Sequence, residues 1–281
     1  MAFIIRGIMI DGHMHMVLDG VYWKEAIRRH EQRVDIEWIR RTLALYQARG
    51  FIWLRDGGDR WGVGAAARAL ALEYGITYRT PLSPLHWKGH YGRIVGTPFE
   101  SMREYAILVQ KLRRAGADFI KIMISGLMDM NQYGVLTEQG LPPEMLGEMI
   151  HIAHEEGFAV MAHANGARTV EAAAVAGVDS VEHGAYLDED ALAAMAENGS
   201  IWVPTVSTLA GPIGKGRFPD EVLRKILDSA LENVAAFRGL VAPGSDAGAW
   251  AVPHGETMEY QLLSSLTDLE KGTAALMERF S

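Results

Sequence analysis

The chain has 281 residues, 49% of them hydrophobic and 22% charged, with a net charge of −8 and no cysteine. This is a globular profile, long enough to bury a core without covalent staples. It excludes disulfides and thiolate metal sites, and with no basic stripe and no long apolar run it argues against nucleic acid and a membrane as partners.

Short apolar runs alternate with amphipathic stretches throughout. Strands are expected at residues 7–11, 50–55, 76–81, 118–124, 158–162, 180–182, 200–204 and 240–245. Helices are expected at 35–49, 64–74, 98–115, 142–156, 166–176, 188–198, 219–239 and 254–280. In the first of these, Ile36, Ile39, Leu43 and Tyr46 recur at helical spacing. Pro98, Pro142 and Pro219 stand near first turns, and Gly116, Gly157, Gly177 and Gly199 follow last turns. Such alternation implies parallel pairing, because a parallel crossover needs a helix. Eight units in roughly 250 residues point to a closed (β/α)8 TIM barrel, forming one domain over residues 1–281. An open doubly wound sheet ranks second. Against it, the first strand-to-helix turn lacks Gly-x-Gly-x-x-Gly, and Gly57, Gly58, Gly62 and Gly64 follow the second strand without that spacing.

A barrel of this kind carries its active site at the C-terminal ends of its strands. The first strand runs into Ile10-Asp11-Gly12-His13-Met14-His15. Residues i and i+2 of a strand share a face, so His13 and His15 aim at one point, and imidazole is the commonest protein metal ligand. Lys121 lies inside the apolar fourth strand, His163 ends the fifth, His183 the sixth and Asp246 the eighth. Each has a bland reading: a core or rim histidine for His163 and His183, a helix N-cap for Asp246, a snorkelling side chain for Lys121. Lys121 fits its bland reading worst, since lysine is almost never fully buried unpaired. Six candidate ligands from five different strands at matching heights point to a metal centre.

Those six residues resemble the ligand set of the amidohydrolase superfamily of metal-dependent hydrolases. The resemblance is to the branch of prolidase-like Xaa-amino-acid peptidases and imidazolonepropionase relatives, and it is strongest over residues 159–205 and extends over about residues 8–280. It implies a distorted barrel with one or two divalent ions, usually zinc, two being favoured. His13, His15 and Asp246 are then implied to hold the more buried ion, and His163 and His183 the more exposed one. Lys121, N-carboxylated, is implied to bridge the two together with a hydroxide. The implied reaction is attack of metal-bound hydroxide on a carbonyl, with Asp246 as general base and then acid.

The chain also departs from that pattern. Many such proteins carry a β-sandwich, which is expected to be absent here, and Leu127 follows Ser125-Gly126 where a glycine is frequent. Substrate contacts are less defined. Arg55, at the end of the second strand, reads equally as a clamp on a substrate carboxylate or as a structural ion pair. His86, Trp87, His90 and Tyr91 fall in a long loop after the third strand, and His254 follows the eighth; His90, Tyr91 and His254 are candidate contacts, although a loop histidine is more often plain surface. His30, His151 and His154 read as surface.

The expected activity is hydrolysis of a C–N bond in a small molecule, such as an N-acyl amino acid or a dipeptide. A lactonase, esterase or cyclic amidase with the same metal centre is the alternative, and a non-catalytic binding barrel is weaker because all six positions are filled. The expected partners are a small-molecule substrate and, as one option, another copy of the chain. The absence of cysteine fits a reducing compartment, and the apolar stretch up to Ile10 is too short for a signal peptide, so a cytoplasmic setting is expected.

Overall fold

The computed structural model describes residues 8–281. Its strands are β1 (Met9–Met14), β2 (Phe51–Asp56), β3 (Thr77–Arg79), β4 (Leu85–Trp87), β5 (Thr97–Phe99), β6 (Ile120–Met123), β7 (Val160–Ala164), β8 (Ser180–His183), β9 (Ile201–Val203) and β10 (Leu240–Val241). They form two sheets, ordered β1-β2-β3 and β10-β9-β8-β7-β6-β4-β5. Every pairing is parallel, as the strand–helix alternation requires. The pairing therefore resolves a mixed α/β fold of two parallel sheets.

Backbone hydrogen bonds cross both gaps between the sheets. On one side Gly12 N donates to Pro243 O at 2.8 Å, Asp246 N to His13 O at 2.6 Å and His15 N to Ala247 O at 2.7 Å. On the other, Asp118 N donates to Thr80 O at 3.0 Å, and Thr80 N returns a bond to Asp118 Oδ2 at 2.8 Å.

All eight expected strands are present within a few residues, although residue 7 of the first lies outside the described residues. The corrections concern what lies between them. The loop expected after β3 contains β4 and β5, which pair with each other. Pro98 sits in β5, at the sheet edge, where a missing N–H breaks no ladder. The helix assigned to Pro98 begins instead at Met102, its N-cap Ser101 accepting a bond from Glu104 N at 3.2 Å. A helix at Trp23–Glu31 and a short one at Ser207–Ala210 were not expected. The stretch expected as one helix over residues 254–280 is two, Met258–Leu263 and Leu269–Arg279.

Alternation along the strands sorts side chains into layers. In β6, Ile120 and Ile122 join the core under the helices, while Lys121 lines the cavity on the opposite side. In β8, Val181 joins that core, while Ser180 and Glu182 bond inward to Arg55 of β2. Beneath this polar layer lies an apolar plug that includes Ile10, Trp53, Met161, Ile201 and Phe280. Above it are the C-terminal strand ends.

Candidate metal centre

The cross-gap bond from Asp246 N to His13 O brings β1 and the segment after β10 together, and the register of β1 against β2 shifts between Asp11 and Met14, the stretch that holds His13. Donor atoms of His13, His15 and Asp246 lie within 4.8 Å of one another. Asp246 Oδ1 is 3.6 Å from His13 Nε2 and 3.3 Å from His15 Nε2. The His13 ring lies 5.1 Å from His183, and His183 lies 4.5 Å from His163, between ring centroids. Lys121, His163 and His183 line the same cavity as the first three. The structure thus brings the six strand-end residues to one mouth, with His13, His15 and Asp246 as the tight cluster.

Two of these residues hold unusual backbone. His183 and Asp246 have φ of +71° and +55°, the left-handed region that side chains other than glycine seldom adopt. His183 is the last residue of β8, and Asp246 stands in the segment that follows β10. The turn carries the His183 and Asp246 side chains to the cavity wall, a place where such strain is commonly found.

The surroundings set the chemistry. Burial, reinforced by the neighbouring Lys121 charge, holds His13 well below the ordinary imidazole range. Burial likewise pulls His163 down to about 3, with Lys121 adding to the effect. His183 is depressed by burial and then by His163 and His13. These rings are neutral at pH 7 and keep lone pairs for a cation. Burial lowers Lys121 to about 8, against the pull of Glu182. Its Nζ has no hydrogen-bond partner, an arrangement that costs several kcal/mol for an ammonium. A buried amine without a partner, facing neutral imidazoles and a carboxylate, suits a site that takes up divalent cations.

Supporting contacts fix the rings. His13 Nδ1 lies 2.8 Å from Glu182 Oε2, the approach bent from the ideal line and neither atom having another partner. Glu182 Oε1 accepts from Arg55 at 2.8 Å and from Ser180 Oγ at 2.6 Å. His183 Nδ1 pairs with Thr205 Oγ1 at 2.6 Å. His163 Nε2 faces Gly126 O at 3.2 Å, leaving Nδ1 free of that contact. Asp11 ties the two chain segments together, accepting from Ser245 N, Ser245 Oγ and Tyr46 OH. Behind His15, a Cβ on Gly57 would overlap the imidazole, so only glycine leaves the ring its place.

Arg55 corrects the expectation of a carboxylate clamp. It is fully buried below the centre, bonded to Gly12 O, Ser180 and Glu182 and stacked 4.3 Å over Phe280. This is the ion-pair alternative. His254 is also no cavity-wall residue: it is buried, with Nδ1 against Tyr46 OH at 3.2 Å and Nε2 against Leu18 O at 2.8 Å. His90 is 41% exposed and 3.7 Å from Glu138, off the cavity wall. Tyr91 is on the wall, its ring 4.7 Å from His163. His30, expected at the surface, is buried and accepts a bond from Asp35 N. Sequence reasoning missed the Glu182 contact. Its signal was the i, i+2 pair Ser180 and Glu182, two polar residues on one face of an apolar strand.

No protein-family model matches the chain. An uncharacterized protein of Mycobacterium tuberculosis is 33% identical over 121 residues, 40% of this chain and 32% of that protein. Ochratoxinase of Aspergillus niger is 30% identical over 154 residues, 48% of this chain and 30% of the enzyme. The matched part of the chain thus spans about a third of the length of these curated relatives. Among solved structures, a Xaa-Pro dipeptidase with bound methionine superposes with a TM-score of 0.73 at 20% identity, covering 97% of this chain and 75% of the other. Aspergillus niger ochratoxinase gives 0.71 at 22%, covering 95% and 68%. Phenylurea hydrolase B gives 0.65 at 16%, covering 85% and 62%. The structural neighbours are amidohydrolase-superfamily members, and this chain shares their fold.

Proposed function

We propose that the chain is a metal-dependent hydrolase of C–N bonds in small amides, N-acyl amino acids and dipeptides first. One observation carries the reading: the His13, His15 and Asp246 donors cluster beside the unpartnered Lys121 Nζ, on the wall of a cavity of about 500 Å³. The shared fold of the prolidase, ochratoxinase and phenylurea hydrolase structures supports it. We further propose that the two sheets close into one barrel; the backbone bonds across both gaps support this.

His13, His15 and Asp246 would hold one divalent ion, and His163 and His183 a second, zinc being the first choice for imidazole and carboxylate donors. Lys121 would join them after N-carboxylation. With an amine lowered to about 8, about one molecule in ten is uncharged at pH 7 and able to add carbon dioxide. Such ions, when bound, acidify water and polarise a carbonyl.

The chain's own groups do the rest. The Asp246 carboxylate, turned to the cavity by its left-handed backbone, takes the proton of the attacking water and passes it to the departing amine. The products are a carboxylate and an amine, with water consumed. Glu182 Oε2, 2.8 Å from His13 Nδ1, would draw the ring proton to that nitrogen and leave the Nε2 lone pair to the cavity side. Tyr91, Met123 and Met128 keep the reacting carbonyl in apolar surroundings. The chain's lack of cysteine fits a cytoplasmic setting, and no helix among the described residues is long and apolar enough to cross a membrane.

The test is a parallel screen of N-acyl amino acids, dipeptides and lactones with the zinc-loaded protein. The reading expects release of free amine from the first two classes, abolished in Asp246→Asn. Cleavage of lactones alone would overturn it.

A further inference from the structure

We propose that this cavity is shaped for an amide conjugate of drug size, joining a bulky apolar or aromatic group to an anion, and that Arg217 reads the anion. The proposal rests on the hydrolase reading for the amide, but its recognition part stands on separate observations.

The first is size. A volume of about 500 Å³ falls within the range of pockets that enclose drug-sized ligands, about 300–1,000 Å³. The second is the wall. Met123, Met128 and Met130 face the cavity, and their unbranched thioethers adapt to irregular apolar shapes and favour aromatic partners. Phe218 and Trp250 line it from another segment.

The third is charge. Apart from Lys121, Arg217 is the one lysine or arginine on the cavity wall among the described residues. Its guanidinium lies 5.2 Å over Phe218 and 4.8 Å over Trp250, which themselves meet edge to face at 5.7 Å. Among the described residues it makes no ion pair with a carboxylate. Of the wall carboxylates, Asp129 is engaged by the backbone and side-chain nitrogens of Asn131, and Asp246 belongs to the histidine cluster. Contacts with the two rings satisfy none of its N–H groups, so the N–H edge of the guanidinium is left without a carboxylate partner. That edge is the part that matches a carboxylate or sulfonate with two parallel bonds. Arg217 is therefore placed to accept an anionic group while the apolar wall takes the rest of the molecule.

The experiment separates recognition from catalysis by using ligands that cannot be cleaved. N-(2-naphthylsulfonyl)glycine and its neutral counterpart N-propyl-2-naphthalenesulfonamide are titrated calorimetrically into the zinc-loaded full chain. The acid is expected to bind about tenfold tighter, with a preference that weakens as salt rises. Arg217→Met, a change at an exposed position, is expected to abolish the preference and leave the neutral ligand unaffected; Arg217→Lys is expected to keep part of it. A preference that persists in Arg217→Met would mean that the metal centre reads the anion, and would overturn the proposal. So would equal binding of the two ligands by the unsubstituted protein. If the preference collapses as expected but N-(2-naphthoyl)glycine is not hydrolysed, the hydrolase reading fails and the recognition by Arg217 stands.

Discussion

Replacing Glu182 by glutamine tests how the polar layer under the cavity works. Glu182 is fully buried, and its oxygens serve Arg55, Ser180 and His13 within 2.8 Å. Burial pulls the Arg55 guanidinium below its ordinary value and Glu182 pushes it back. Glutamine keeps the shape and removes the charge, so Arg55 is left as an uncompensated buried cation. Breaking a buried pair this way costs about 3–5 kcal/mol, a large part of the roughly 5–15 kcal/mol by which a domain is stable. With a urea slope of about 3 kcal/mol/M, the unfolding midpoint of the metal-free protein should fall by more than about 1 M. His13 also loses the acceptor that fixes its tautomer, so zinc affinity should fall about 10–100-fold. The double variant Arg55→Met with Glu182→Met separates the two effects. An apolar pair in place of a buried ion pair is often neutral in stability, so the midpoint should return to within about 0.3 M of the unsubstituted protein's while zinc affinity stays low. A Glu182→Gln midpoint that matches the unsubstituted protein, or a double variant that binds zinc normally, would refute the reasoning.

Three further outcomes follow from the same geometry. Lys121→Met should lose bound metal, measured by elemental analysis, yet should unfold at higher urea than the metal-free parent at pH 7, because a buried ammonium without a partner is removed. Gly57→Ala should keep the far-ultraviolet circular dichroism of the parent but weaken zinc binding, since its Cβ displaces the His15 ring; unchanged zinc affinity would contradict that placement. Glu259, buried and bonded to Val206 N, Ser207 N and Ser207 Oγ, is raised from 4.5 to about 8 by burial. Its folded value lies above its unfolded one, so its contribution is whole below pH 4.5 and is lost as pH climbs to about 8. The loss amounts to about 3–5 kcal/mol. Glu259→Gln should flatten that part of the stability curve measured by urea unfolding.

The residues of the candidate centre are legible in the sequence because a parallel strand ends where its apolar run ends, and the next polar side chain faces the mouth. His163 is found by that rule, whereas Lys121 is legible as a charge inside the apolar run of β6. His183, the last residue of β8, and Asp246, in the segment after β10, stand on left-handed backbone that no local pattern announces; they are legible only as polar residues at the end of an apolar run. Glu182 is harder, since its meaning depends on Arg55, whose partner lies 127 residues away. Arg55 itself looks the same in sequence whether it clamps a ligand or closes a buried pair, and only the depth of its side chain decides. Strands β4 and β5 escape notice because each is three residues long, too short for an alternation to register, and one contains a proline. Arg217 lies between strands, where nothing in its neighbours' spacing distinguishes it from a solvated arginine.

The central claim is that these side chains exist to hold divalent cations for hydrolysis. It is tested most directly by elemental analysis of protein purified without chelator, paired with an assay of N-acyl amino acid cleavage before chelation, after it and after zinc is returned. Close to two ions per chain are expected, with cleavage that disappears on their removal and reappears on zinc addition. A chain that emerges without divalent metal, takes up none from solution and cleaves its substrate regardless would contradict the account.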